Sequence, residues 1–211
     1  MNAPCRIRWS GVRDYLEVAN EMVTFTNDRS EDTQDELWLL QHFPVFTQGT
    51  SCTQQPHTNP TNIPLVKSSR GGQISYHGPG QLIVYLMFDI KRLGFGPRSL
   101  VNRVEQGIIQ LLARYGLKGT RKQGAPGVYV DAAKIAALGL RIRNGRCFHG
   151  LSLNIDMDLR PFQWIDPCGQ PGLAVTQLAD LGVALSLRQV GDDLVAELLD
   201  QFHWDSGACA G

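Results

Sequence analysis

The chain has 211 residues, with 20 Lys+Arg balanced against 20 Asp+Glu, so its formal charge is zero. At ~150 residues per domain that length holds one large or two small domains and can bury a substantial core. With 43% hydrophobic and 19% charged residues, the composition excludes a disordered chain, and zero net charge removes the global basic excess of a nucleic-acid binder.

The N-terminal Met1-Asn2-Ala3-Pro4-Cys5-Arg6 lacks the basic-then-apolar run of a secretory signal. The longest apolar run, 82–88, falls far short of the ~20 residues a membrane helix needs. The expectation is a soluble, cytoplasmic protein without membrane or nucleic-acid partners. Five cysteines (Cys5, Cys52, Cys147, Cys168 and Cys209) are widely spaced with no Cys-x-x-Cys pair. That spacing argues against a disulfide framework or a structural zinc site, so most are expected to be thiols.

In chain order, Val12, Leu16, Ala19 and Val23 recur at three- and four-residue intervals and predict an amphipathic helix over 12–27. Residues 37–40 (Leu-Trp-Leu-Leu) read as a buried strand. A polar, Thr/Gln/Asn/Pro-rich loop over 48–62 is the expected mobile segment. Strands are predicted at 63–67 and 82–90, flanking a glycine block at 70–81. A second helix covers 99–115, with Leu100, Val104, Ile108, Leu111 and Tyr115 on one face and Gly116 as its stop. Further strands follow at 127–130, 134–142 and 147–155. A third helix covers 187–202, where Ser186 and Gln189 form a capping box. No repeat or linker divides the chain, so one domain over 1–211 is expected. Few helices among many short strands give an α+β fold with a mixed, largely antiparallel sheet flanked by helices, rather than a doubly wound parallel sheet.

Glycine is the compositional anomaly, at 22 of 211 residues against the ~7% average. The block Arg70-Gly71-Gly72-Gln73-Ile74-Ser75-Tyr76-His77-Gly78-Pro79-Gly80-Gln81 concentrates it. Gly71 and Gly72 allow a backbone to approach a ligand where a Cβ would collide. Gly78-Pro79-Gly80 fixes a tight turn that sets His77 at a strand end. A plain hairpin turn with a surface histidine is the alternative. A phosphate loop is disfavoured, because no Gly-Lys-Ser/Thr follows.

Two further residues stand out. Lys134 heads the apolar run Ile135-Ala136-Ala137-Leu138, where burial disfavours its charge unless a partner compensates. A strand-edge lysine with its ammonium in water is the alternative. Cys168 lies between Pro167 and Gly169, in a turn rather than an apolar stretch. A nearby ammonium would stabilise its thiolate, the nucleophilic form. Their separation shows only that two segments would have to converge. Cys147 and His149, two residues apart, are too few for a metal site, so neither metal nor cofactor is expected.

The glycine block resembles the signature of the lipoyl(octanoyl) transferases, the lipoate–protein ligase B family. The similarity continues in order through Pro44-Val45-Phe46-Thr47-Gln48-Gly49, Ala125-Pro126-Gly127-Val128-Tyr129-Val130, Lys134-Ile135, Leu138-Gly139-Leu140-Arg141-Ile142, Phe148-His149-Gly150-Leu151, Asn154 and Pro167-Cys168-Gly169. Ser75 stands where the family usually has Thr, which keeps the hydroxyl. The loop from Thr50 to Thr61 matches no family pattern.

The resemblance implies a biotin/lipoate ligase-like fold, related to class II synthetase cores. It makes Cys168 and Lys134 a catalytic dyad for acyl transfer through a cysteine thioester. Octanoyl would pass from octanoyl-acyl carrier protein to a lysine of apo lipoyl domains of 2-oxoacid dehydrogenase complexes and the glycine cleavage H protein, without ATP. Arg70 to His77 would line the acyl pocket, with Ala137-Leu138-Gly139 and Gly150-Leu151-Ser152 as its other walls. Gly150 or Gly169 backbone, with His77 or His149, are the candidate oxyanion donors. The acidic carrier would meet a local basic face, Arg121-Lys122 or Arg141, Arg143 and Arg146. An ATP-dependent lipoate or biotin ligase of the same fold is the nearest alternative, but it has no need of Cys168. A non-catalytic acyl-carrier scaffold is a further one.

Overall fold

The computed structural model describes residues 5–204. Asp14 sets the first boundary. Its carboxylate accepts hydrogen bonds from the Leu16 and Glu17 amides, capping helix α1 (Tyr15–Asp28) and leaving Arg6–Arg13 as strand β1. The helix expected over 12–27 is therefore present but starts later, and Val12 belongs to a strand the periodicity did not reveal. The buried face also differs from the expected one. Tyr15, Val18, Met22 and Thr26 are buried, whereas Leu16 is 50% exposed and Val23 is exposed as well. This helix carries two apolar stripes, and the one bearing the larger Tyr15 and Met22 faces the core.

The remaining strands are β2 (Glu36–His42), β3 (Val45–Gln48), β4 (Leu65–Lys67), β5 (Ile74–His77) and β6 (Gln81–Asp89). After helix α2 (Pro97–Arg114) come β7 (Thr120–Lys122), β8 (Ala125–Val130), β9 (Ala133–Arg143) and β10 (Arg146–Asn154), and helix α3 (Leu187–Phe202) follows. Seven strands form one sheet in the order β1-β2-β6-β10-β9-β8-β7, in which the β1–β2 pair is parallel and the rest antiparallel. A second sheet sets β3 between β4 and β5. Both carry out the expected α+β class with a largely antiparallel sheet. Strand β1 and the short strands β3, β5 and β7 lay outside the expectation.

Strand alternation divides the core. On β6, Leu82, Val84, Leu86 and Phe88 join the cluster that includes Leu100, Val104, Ile108 and Leu111 of α2 and Leu194 and Leu198 of α3. Ile83, Tyr85 and Met87 point the other way, toward Val18 and Met22 of α1. Each fully buried aliphatic side chain contributes about 1.5–3 kcal/mol. The predicted boundaries of α2 and α3 hold to within a residue or two, and the Ser186–Gln189 capping box forms. The small sheet has its own cluster around Phe46, Ile74, Tyr76 and Phe162.

Gly78-Pro79-Gly80 carries the chain from β5 in the small sheet to β6 in the large one, so the two strands do not form a hairpin. A cavity lies between the sheets, roofed by the loop before β5 and closed at one end by α1. Among the described residues no helix is long and apolar enough to cross a membrane.

Candidate active site

Cys168 lines the wall of that cavity, and Lys134 meets it from behind the wall. The Lys134 Nζ donates to Cys168 Sγ at 2.8 Å and to the Pro126 carbonyl at 3.1 Å, and sits 5.1 Å from the Tyr129 ring centroid. Lys134 is 3% exposed, and no carboxylate pairs with it among the described residues. A buried ammonium needs an anionic or strongly dipolar partner, and the sulfur with one carbonyl fills that need here. The strand-edge lysine in water is thereby excluded.

The two residues are held together by backbone. Lys134 N–H donates to the Ala174 carbonyl at 2.8 Å, and Thr176 N–H donates to the Lys134 carbonyl at 3.0 Å. The segment after Cys168 thus lies along the start of β9. Pro167, Cys168 and Gly169 form a single 3-10 turn, closed by Gly169 N–H on the Asp166 carbonyl. Cys168 itself has φ 59° and ψ 21°, a left-handed conformation that costs a non-glycine residue about 1–2 kcal/mol. His57 braces this turn from the polar loop, with Nε2 3.0 Å from Asp166 Oδ1 and its N–H on the Trp164 carbonyl. Because Gly169 N–H is already engaged, it does not serve as the expected oxyanion donor.

The cavity measures about 480 Å³. The structure brings Arg70, Gly71, Gly72, Gln73, Ile74, Ser75 and His77 to its wall, together with Ala137-Leu138-Gly139, Gly150-Leu151-Ser152 and Cys168. Tyr76 is the exception. Strand alternation turns it into the small-sheet cluster, with its ring 5.5 Å from those of Phe46 and Phe162. Gly49 explains the roof, since a Cβ there would sit 2.2 Å from the Gly72 carbonyl oxygen.

Burial grades the cavity from mouth to inner end. Ser51, Gly124 and Pro126 at the mouth are exposed, Cys168 is half-buried, and Tyr15, His77, Tyr85 and His149 at the inner end are buried. Tyr15 and Tyr85 were not singled out by sequence. Tyr85 sits inside an apolar strand run and Tyr15 on the unexpected helix face, so neither carries a local signal.

The inner end is polar. His42 Nδ1 donates to the Arg13 carbonyl, so its Nε2 accepts from the Tyr85 hydroxyl at 2.7 Å. His77 Nδ1 donates to Gln81 Oε1 at 2.7 Å, and its Nε2 faces the Thr47 hydroxyl. Burial pulls His42 down to about 4. Burial with the nearby His42 and Arg70 charges pulls His77 down to about 3. His149 falls to about 3 through burial and the charges of Arg70 and Arg141. Arg70 is held by the Thr47 hydroxyl and carbonyl and its own Gly71 carbonyl, with no carboxylate partner among the described residues. Burial lowers its affinity for the proton as well.

The sequence and the α+β frame that carries this site have counterparts among known proteins. Residues 14–199 match the model of the lipoyl protein ligase A/B catalytic domain, and the chain belongs to that family. Within it, the chain is 55% identical over 194 residues to an octanoyltransferase of Pseudomonas putida W619, covering 92% of this chain and 90% of the relative. It is 54% identical over 204 residues to an octanoyltransferase of Pseudomonas syringae pv. syringae B728a, covering 97% and 94%. The fold resembles a structure from the archaeal bi-partite lipoate protein ligase system of Thermoplasma acidophilum, with TM-score 0.74 at 15% identity over 97% of this chain and 86% of that one. A biotin protein ligase from Aquifex aeolicus, solved with biotin and ATP, gives TM-score 0.57 at 9% identity over 94% and 70%. At such identities these two speak for the fold alone.

Proposed function

We propose that the chain moves an octanoyl group from octanoyl-acyl carrier protein to a lysine of an apo lipoyl domain through a thioester on Cys168. The enzyme is an acyltransferase of the octanoyltransferase kind. The observation that carries the mechanism is the 2.8 Å contact between a buried Lys134 ammonium and the Cys168 sulfur at the cavity wall.

The chemistry closes on itself. Cys168 thiolate attacks the donor's carbonyl carbon, a new C–S bond forms, and the donor's C–S bond breaks. The departing carrier thiolate takes a proton from Lys134, which becomes a neutral amine. The acceptor lysine then attacks the Cys168 thioester, passes its excess proton to Lys134, and releases Cys168 as thiolate. The amide product is more stable than the thioester, so the cycle requires no ATP. The ammonium stabilises the thiolate at both ends of the cycle. The small and apolar walls at Ala137, Gly139 and Gly150 suit a thin saturated chain.

Of the five basic residues named for the carrier, Arg121 is engaged by Glu105 and Gln106, and Arg146 by the Thr26 and Asn27 carbonyls. Lys122 donates to the Ala132 carbonyl. Arg141 and Arg143 are exposed and make no ion pair among the described residues, so they are the side chains we assign to an acidic carrier. A reducing cytoplasm would keep Cys168 a thiol.

Intact-mass measurement after mixing with octanoyl-acyl carrier protein tests the proposal. One octanoyl increment is expected on Cys168, absent in Cys168→Ala, with transfer independent of ATP. An adduct elsewhere, or undiminished transfer by Cys168→Ala, overturns it.

A further inference from the structure

We propose that His149 is the specificity-determining residue that ends the acyl channel and sets its upper chain-length limit, an inference that rests on the Cys168 acyl-enzyme. Alternation along β10 sends Cys147 and Leu151 into the core shared with α2 and α3, and His149 would follow them. It does not. At φ 60°, outside the strand region, its ring stacks on Phe148 and meets Tyr85 edge-on, and both of these lie on the opposite face of the sheet. A strained backbone thus delivers an imidazole into the cavity, and such strain persists only where surroundings enforce it.

The delivered ring is left half-satisfied. His149 is 2% exposed, its Nε2 lies 2.9 Å from Ser69 Oγ, and its Nδ1 has no hydrogen-bond partner. Burial and the Arg70 and Arg141 charges keep the ring neutral, and its unpartnered Nδ1 is itself shut off from solvent at the inner wall. Its position fits a stop. Ser152 lines the same pocket edge as Cys168 and Lys134, and His149 lies three residues back along β10, on the order of 10 Å away. An extended eight-carbon chain anchored on Cys168 has a comparable length.

The walls along that stretch are Leu151, Leu138, Gly150 and Gly139, whereas the end is His149, Tyr85, Tyr15 and Arg70. Methylenes gain by lying against the first set. Further methylenes would have to displace the second set and break the hydrogen bonds that fix it, Tyr85 to His42, Tyr15 to Ser68, His149 to Ser69 and Arg70 to Thr47, a penalty that a C8 chain avoids and a longer one incurs. His149 therefore touches the end of the substrate without taking part in the bond changes.

The test compares hexanoyl-, octanoyl-, decanoyl- and dodecanoyl-acyl carrier protein as donors for His149→Leu and His149→Asn. Leu removes the polarity, and Asn, which tolerates a positive φ, removes the ring volume should the Leu variant not fold. In either variant the decanoyl-to-octanoyl ratio of kcat/KM is expected to rise about tenfold, mainly through KM. The pH profile of octanoyl transfer is expected to stay unchanged. A parallel fall for all chain lengths, or an unchanged ratio in an active variant, overturns the assignment. Failure of the wild-type enzyme to form an adduct on Cys168 would instead overturn the acyl-enzyme on which the assignment rests.

Discussion

At Lys134 a lysine replaces what strand periodicity would make an aliphatic side chain, and it is buried with a sulfur as its charge partner. Lys134→Met keeps the volume and removes the ammonium that contacts Cys168 Sγ, the group we propose assists its attack. Alkylation of Cys168 by iodoacetamide at neutral pH is expected to slow about tenfold. An unchanged rate would remove the role. Cys147 provides an internal control, because burial pushes its thiol well above the ordinary range and leaves it inert. The conformation of Cys168 makes a second prediction. Cys168→Gly and Cys168→Ala both take the sulfur from the buried Lys134, but only Gly frees the turn from its left-handed strain, so the Gly variant is expected to be about 1 kcal/mol more stable than the Ala variant while transfer is lost in both. Urea denaturation measures this, and equal stabilities would show the conformation to be unstrained.

At the element level, the sequence disclosed what periodicity can disclose. The faces of α2, the capping box of α3 and the apolar run of β6 were legible because one pattern fitted each. The start of α1 was not, since two apolar stripes competed and the deciding cue was the single N-cap Asp14. Strands β3 and β5 escaped because each has four residues and packs in a sheet of three. The site followed the same rule. Contiguous motif residues mostly reached the cavity, and Tyr76 left it because neighbours on a strand face opposite ways. Tyr15 and Tyr85 arrive from other elements, so only tertiary packing places them. The ion pair between α1's end and β2's start is a further case. Asp35 Oδ1 accepts from Arg29 and Arg92 and from the Asp89 amide, with Arg29 and Asp35 almost fully buried. Asp35→Ala strands a buried guanidinium, so about 3–5 kcal/mol is expected to be lost. That corresponds to a drop on the order of 10 °C in Tm, readable by calorimetry.

Across the whole molecule, two neutral imidazoles, His77 and His149, sit at one end of one cavity with a third, His42, packed near His77, and the three couple folding to acidity. Unfolded, each takes a proton near pH 6.5. Folded, His42 does so only near 4, and His77 and His149 only near 3. Below pH 6.5 the unfolded chain therefore binds more protons, and stability falls as pH falls, by about 1.4 kcal/mol per pH unit for each histidine. With a typical 5–15 kcal/mol in reserve, the fold is expected to be near its limit by about pH 4. Tm should be flat above pH 7 and drop steeply below 6, and His42→Gln should lessen that slope by about a third. A Tm unchanged between pH 7 and 5 would show the three rings to be protonated in the folded state.

The paired hydrogen bonds between Lys134 and the 174–176 segment carry a kinetic corollary. The segment after Cys168 and the strand bearing Lys134 cannot part without breaking both together, so in the cycle we propose the two side chains share one reference frame. Deuterium uptake at the Lys134 and Thr176 amides should then rise as one correlated event, set by a common opening equilibrium rather than by two independent ones.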